Sequence, residues 1–396
     1  MKNKYLVLLI IILTAGCGTI TALNRPISRS DVIPHIEDGY KDYRGVIHVH
    51  SIYSDGTGTY SEIAQAANKS GLDFLIITDH NTLQALDDNK EGWYGRTLIL
   101  VGEEASLPEG HLLSLNVNRL IRGKTTQQTL DMISKAGGLS FIAHPYYSKA
   151  PWKDWAVSNF HGMEIYNLKE DVLSKDRLSL FLRFAFLPPD VVWRSLIERP
   201  DEALRKWDEL TQKRKVVGIA GNDAHASVRI LGMTFDPYEQ FFRVVNTHIL
   251  LPEGATLDRS SIYKALKNGH IYSVFHIFCE AKNFTFMATD GQEILIMGDE
   301  MNFSPGWKFF ISAPNRKAKI KLIRNGELIK EGPEFLEHEI TEEGVYRVEV
   351  YLKDRPWIFS NPIYIRPSRG GQKIETRNNR RNRKVESEKT LFDIKM

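Results

Sequence analysis

Six short apolar runs between residues 45 and 220 each have a histidine, aspartate or glutamate at or beside one end. Runs of this length read as buried strands. Polar groups gathered at the ends of successive strands point to one shared mouth. The pattern opens with His48-Val49-His50, which closes the run Gly45 to Val49. Strand side chains alternate with a period of two, so this spacing directs both imidazoles to one side. Asp55 follows in Ser54-Asp55-Gly56, Asp79-His80 closes Leu72 to Thr78, and Glu104 follows Leu98 to Val101. His111 precedes Leu112 to Leu115, His144 ends Leu139 to Ala143, and Asp223-Ala224-His225 follows Val216 to Ala220. Of twelve histidines, six fall at strand ends beside an acid, which chance placement explains poorly. Neutral imidazoles and carboxylates brought together in this way are the ligands of a polynuclear metal site.

The same segments carry a specific resemblance. His48-Val-His50-Ser51 with Ser54-Asp55-Gly56, Thr78-Asp79-His80-Asn81, Gly102-Glu103-Glu104-Ala105-Ser106, Gly110-His111-Leu112-Leu113, Ala143-His144-Pro145 and Gly221-Asn222-Asp223-Ala224-His225 resemble the PHP (polymerase and histidinol phosphatase) family, in the family's order, over residues 44–230. The resemblance implies a distorted (β/α)7, TIM-like barrel with a trinuclear metal centre. It also selects Glu104 over Glu103 as the bridging carboxylate, because the family places that residue two after a glycine. His48, His50, Glu104 and Asp223 would hold the first metal. Glu104 would bridge to a second, also held by His111 and His144. Asp55, His80 and His225 would hold the third. Mixed imidazole and carboxylate ligands suit Zn, Mn or Fe and disfavour Mg.

The expected activity is hydrolysis of a phosphomonoester or phosphodiester. Clustered dications lower the pKa of a bridging water, so that hydroxide attacks phosphorus in line. The same cations neutralise the phosphoryl oxygens as charge builds. Asp223 at the first metal, and Asp55 and His225 at the third, are the residues expected to take part directly, with His225, Asp55 or a water at the third metal protonating the leaving group. Asp79 reads equally as a group orienting a ligand imidazole or as the N-cap of a helix after Asn81. Arg229, four residues after His225, is the expected substrate-phosphate contact, with Lys149 and Lys153 as weaker candidates. Tyr146, Tyr147, Trp152 and Trp155 read as a packed lid rather than a stacking platform. Glu164-Ile-Tyr166-Asn167 resembles a family motif and reads as pocket lining.

Around these residues the chain divides by pattern. Alternating strand and helix signals from residue 44 to 277 indicate an α/β barrel, with amphipathic helices over 60–70, 126–136, 199–213 and 260–268. The stretch 168–215 exceeds one crossover helix, and Pro188-Pro189 splits it into two. From 278 to 367 short alternating runs separated by Pro, Gly and Asn turns read as a small all-β sandwich of about seven strands, with Asn325-Gly326 as a hairpin turn. Residues 368–396 read as a disordered basic tail. Nine basic against four acidic residues over 367–396 exceed the whole chain's net charge of +3, so the rest is slightly acidic.

The N-terminus reads as targeting sequence. Lys2 and Lys4 precede the apolar core Tyr5 to Leu13, which is too short for a span of about 20 residues. Thr14-Ala15-Gly16-Cys17 then resembles a bacterial lipobox, with Thr14 departing from the usual Leu. The expectation is a signal peptide over 1–17, a lipid on Cys17, a linker over 18–43, and an extracytoplasmic lipoprotein tethered to the membrane of a bacterial cell envelope. The partners expected are that membrane and a phosphorylated small molecule or phosphodiester. Three rival readings follow from the same residues. An amidohydrolase also begins with His-x-His but lacks these Ser-Asp-Gly and Asp-Ala-His partners. An extracytoplasmic nuclease is permitted by the basic tail, though no aromatic-basic interleaving supports a nucleic-acid groove. A surface binding protein would use the barrel as scaffold.

Overall fold

The computed structural model describes residues 38–368, apart from 228, 231–232 and 235. The expected signal peptide, Cys17, most of the linker and the basic tail lie outside the described residues. Among those described, no helix is long and apolar enough to cross a membrane.

Seven strands close into a barrel: β1 Tyr40–Val49, β2 Phe74–His80, β3 Thr97–Leu107, β4 Gly110–Leu115, β5 Leu139–Ile142, β6 Gly162–Asn167 and β7 Val217–Ala224. β1 pairs with both β2 and β7 and so completes the ring. Most neighbours run parallel, as expected of strands joined by helical crossovers. β4 does not. It is antiparallel to both β3 and β5, because Pro108 and Glu109 alone join β3 to β4 and leave no room for a crossover. The reversal explains why His111 precedes its apolar run where the other ligand candidates follow theirs. The first residue of a reversed strand lies at the same mouth as the last residues of its neighbours.

The helices are α1 Tyr60–Lys69, α2 Gln84–Asp87, α3 Thr126–Lys135, α4 Leu168–Leu173, α5 Arg177–Phe186, α6 Pro189–Leu196, α7 Asp201–Lys213, α8 Tyr238–Val244 and α9 Arg259–Asn268. Thr59 and Glu62 form the capping box that starts α1, and Thr125 caps α3. The region 168–215 holds four helices rather than two. Pro188 and Pro189 separate α5 from α6, and Pro200 separates α6 from α7.

The C-terminal region is β-rich, with ten strands among the described residues: β10 Thr285–Thr289, β11 Ile294–Ile296, β12 Glu300–Asn302, β13 Lys308–Ser312, β14 Ala318–Arg324, β15 Glu327–Gly332, β16 Phe335–Glu339, β17 Gly344–Leu352, β18 Arg355–Ser360 and β19 Ile363–Arg366. Strands β11, β10, β13 and β16 form one sheet. It faces a second across Phe286, Phe309, Ile311, Ile320, Val348 and Trp357. Asn325 and Gly326 take φ of 52° and 89° in the β14–β15 hairpin, as a two-residue turn of this type requires.

The second sheet is continuous with the barrel. β1 begins at Tyr40, inside the stretch read as linker. Its first half pairs antiparallel with β8 Asn246–Pro252, β8 with β9 Ile271–Val274, and β9 with β18. One strand therefore belongs to the barrel at one end and to the extended sheet at the other. Sequence patterning does not reveal this, because it reads faces and not pairings.

A buried charge network ties α7 to the same sheet. Arg347 of β17 donates to Asp208 at 2.6 and 2.8 Å and to Glu349 at 2.6 Å, and Arg199 donates to Glu349 at 2.7 and 2.9 Å. Burial alone would raise the Glu349 carboxyl, but the two guanidiniums outweigh it and hold it at about 2. Removing one partner leaves uncompensated buried charge, so Arg347→Ala is expected to cost about 3–5 kcal/mol in urea unfolding. The folded-state value of Glu349 lies below its unfolded value of about 4.3. Its contribution is therefore complete above that pH and is lost as pH falls from there to about 2. An Arg347→Ala protein as stable as the wild type would show the network to be idle.

Candidate metal centre

The structure brings the nine ligand candidates into one cluster at the barrel mouth, in overlapping groups: His48, His50 and Asp223; His48, Glu104 and His144; His80, Glu104 and His111; His50, Asp55, His80 and His225. Glu104 lies at the middle. Its Oε1 is 2.7 Å from His111 Nδ1 and 2.9 Å from His144 Nε2. Its Oε2 is 3.0 Å from His48 Nε2, 3.0 Å from His50 Nε2 and 3.3 Å from His80 Nδ1. Each oxygen faces a different set of imidazoles. Asp223 Oδ1 is 3.5 Å from His50 Nε2 and 3.8 Å from His48 Nε2. Asp55 Oδ1 is 3.1 Å from His225 Nε2 and 3.8 Å from His80 Nε2.

Two of the converging nitrogens, His50 Nε2 and His80 Nδ1, are buried with no hydrogen-bond partner among the described residues. Orphaned buried polar atoms are costly, and lone pairs converging on a carboxylate fit a cation. The electrostatics agree. Burial opposes the charge on Glu104, yet His48, His111 and His144 hold its carboxyl well below the usual range. Burial likewise opposes ionisation of Asp223, but His48 and Lys169 hold it low. Burial pushes His50 down to about 3, which keeps it a neutral lone-pair donor. Asp55 is also held low, against burial, chiefly by His225.

The backbone is strained where the ligands converge. His48, His144 and Asp223 take φ of 70°, 26° and 52°, a region costing non-glycine residues about 1–3 kcal/mol each. At His48 the β1–β7 register shifts between Ile47 and Val49. The two imidazoles of His-Val-His thus converge through a bulge rather than through regular alternation.

The surroundings hold the ligands in place. Glu164 of β6 accepts from His48 Nδ1 at 2.7 Å, from the His144 backbone N–H at 2.6 Å and from Asn167 Nδ2 at 2.9 Å. These bonds assign the His48 proton to Nδ1 and turn Nε2 toward Glu104. Glu164 is thus the outer partner of a carboxylate–imidazole pair, a role beyond the pocket lining read from sequence. It has room because residue 221 is glycine. A Cβ there would lie 1.7 Å from Glu164 Oε1. His225 Nδ1 donates to the Asp223 carbonyl at 2.8 Å, which presents Nε2 toward Asp55.

Asp79 neither bonds an imidazole directly nor caps a helix. It accepts from Ser51 N–H and Oγ at 2.7 Å each and from Ser54 Oγ at 2.6 Å, and reaches His50 only through Ser54, 3.4 Å from Nδ1. The backbone of Arg229 lies in the short antiparallel pair Arg229–Ile230 and Met233–Thr234, but its side chain lies outside what the structure describes. Lys153 donates to the Pro108 carbonyl at 3.2 Å, and Lys149 is exposed. Trp152 is buried with Nε1 bonded to the Asp154 carbonyl, and Tyr146 stacks on Trp155, so the aromatic loop is packed. Beside it lies a cavity of about 200 Å³ lined in part by Pro145, Tyr146, Glu164, Tyr166 and Glu170. Burial pushes the Glu170 carboxyl up to about 7.

Lys169 went unread in the sequence. It follows β6 in α4, and its Nζ lies 3.3 Å from Asp223 Oδ1 and 3.1 Å from His225 Nε2. A lysine two residues after Asn167, at the end of a strand carrying a buried acid, was the signal available.

Residues 47–219 match the model of the PHP domain family. An uncharacterized protein of Methanocaldococcus jannaschii is 30% identical over 115 residues, covering 25% of this chain and 66% of that protein. The match thus spans just under two thirds of the relative's length. Among solved structures, a two-domain protein of Bacteroides vulgatus described as containing a predicted PHP-like metal-dependent phosphoesterase aligns over 85% of this chain and 99% of its own, at 16% identity and a TM-score of 0.44. An amidohydrolase of Chromobacterium violaceum aligns over 48% of this chain and 90% of its own, at 13% identity and a TM-score of 0.32.

Proposed function

We propose that this protein, whose residues 47–219 match the PHP domain family model, is a metal-dependent phosphoesterase that hydrolyses a phosphomonoester or phosphodiester at the barrel mouth. The observation that carries the reading is Glu104, whose two oxygens face two sets of imidazoles within 3.3 Å. On this reading His48, His50, Glu104 and Asp223 hold one cation, Glu104, His111 and His144 a second, and Asp55, His80 and His225 a third. Such cations supply Lewis-acid charge, making water acidic enough to react at neutral pH and stabilising the phosphoryl oxygens.

The residues of the chain do the positioning. Glu164 fixes the ring of His48, and the Asp223 carbonyl fixes that of His225. Asp79 holds the Ser51–Ser54 turn that carries His50 toward Asp55. The strain at His48, His144 and Asp223 is maintained by the closed barrel, which keeps the ligand set in place before substrate arrives.

The test is metal analysis by mass spectrometry on protein purified without chelators, with p-nitrophenyl phosphate and bis(p-nitrophenyl) phosphate assayed on the same samples. Two to three transition metals per chain are expected, with ester hydrolysis lost on chelation and restored by Mn²⁺ or Zn²⁺. Metal-free protein that cleaves neither ester after metal addition would end the proposal.

A further inference from the structure

Lys169 places a cation among the ligand candidates. Its Nζ lies 3.3 Å from Asp223 Oδ1, 3.2 Å from His225 Nδ1 and 3.1 Å from His225 Nε2. It is anchored by local structure rather than by chance packing. Asn167 Oδ1 accepts from Glu170 N–H at 2.9 Å and so caps α4, while Asn167 Nδ2 bonds Glu164. The start of the helix is thereby fixed to the residue that orients His48. The lysine side chain remains 30% exposed, so the ammonium has freedom toward the mouth.

An ammonium has three donors and no acceptor. Near-equal distances to both ring nitrogens of His225 mark a position set by the negative field of Asp223 rather than by a directed bond to either nitrogen. Once Asp223 and His225 hold cations, that field is neutralised. Like charges this close repel, so the ammonium would turn outward. Its 30% exposure leaves that side chain reachable by an anionic substrate.

Resting on the phosphoesterase reading, we propose that Lys169 contacts the substrate's phosphoryl oxygens and biases the site toward phosphomonoesters. A monoester dianion presents one more charge than a diester, and a fixed cation beyond the ligand set interacts more strongly with that extra charge. Lysine serves as a point charge with a mobile stem, suited to an oxygen whose position changes during transfer.

The experiment is Lys169→Met and Lys169→Arg in the full chain, with metal content, melting temperature and inhibition by inorganic phosphate measured beside turnover. The expected result is unchanged metal content and melting, with phosphate inhibition weakened about 10- to 100-fold, the scale of a lost charge-assisted hydrogen bond. KM for p-nitrophenyl phosphate rises in Lys169→Met, kcat/KM falls more than for bis(p-nitrophenyl) phosphate, and Lys169→Arg recovers part of both. Unchanged phosphate inhibition in Lys169→Met overturns the contact. Equal losses on the two esters overturn the monoester bias. Gain of a metal with unchanged phosphate binding assigns Lys169 as a stand-in for a cation and also overturns the proposal. An inactive wild type sinks the phosphoesterase reading itself, whereas an active wild type with an indifferent Lys169→Met sinks only this one.

Discussion

Glu104→Ala is expected to empty the centre and lower ester turnover by at least about a thousandfold, the scale on which residues acting as a unit fail together. Five imidazole nitrogens lie within 3.3 Å of its two oxygens. No other carboxylate of the cluster faces both sets, so the loss cannot be shared. Glu104→Gln keeps the volume and removes the charge, which separates coordination from packing. Metal content and kcat/KM of both variants are the measurements. A Glu104→Gln protein with full metal and near-normal turnover would show that the central position is geometric accident.

Gly221→Ala has the second-largest expected effect although residue 221 has no side chain and touches no substrate. Its Cβ would lie 1.7 Å from Glu164 Oε1 and 2.4 Å from Cδ, so Glu164 must leave. His48 Nδ1 and the His144 N–H then lose their acceptor in a buried site. Loss of an outer partner of a ligand imidazole lowers metal affinity about 10- to 100-fold, and unsatisfied buried donors cost about 1–3 kcal/mol each. Gly221→Ala should therefore bind metal weakly in calorimetric titration and melt earlier. Glu164→Gln, which keeps an acceptor in place, should do less of both. Wild-type metal affinity in Gly221→Ala would remove Glu164 from the account.

The cluster was legible where chemistry follows chain position. A histidine or acid at the end of an apolar run declares itself, whereas His111, on the wrong side of its run, was placed by its motif, and the reversed strand that explains it appears only in the structure. Glu164 and Lys169 were not legible as participants. Glu164 acts on His48, 116 positions away, and Lys169 on Asp223, 54 positions away, and no local pattern shows which distant side chain a long stem reaches. The bulge at His48 was hidden for a different reason, since period-two reasoning assumes the regular strand that the site itself distorts. The β-rich region was legible as strands and turns, but its hydrogen-bonded union with the barrel was not. Alternation shows which face of a strand is buried and says nothing of the neighbour at its edge.

That union bears on how the barrel could exist apart. Cutting the chain at 277 would strip β9 of its partner β18 and leave Tyr272, Ser273 and Val274 with a bare row of backbone donors and acceptors. Open edges of this kind recruit other strands. Such a fragment would tend toward self-association at the far end of the sheet from its own metal ligands, and β1 would carry any resulting distortion along one continuous strand to His48. The C-terminal region thus serves as the stopper on an edge that the barrel cannot close by itself.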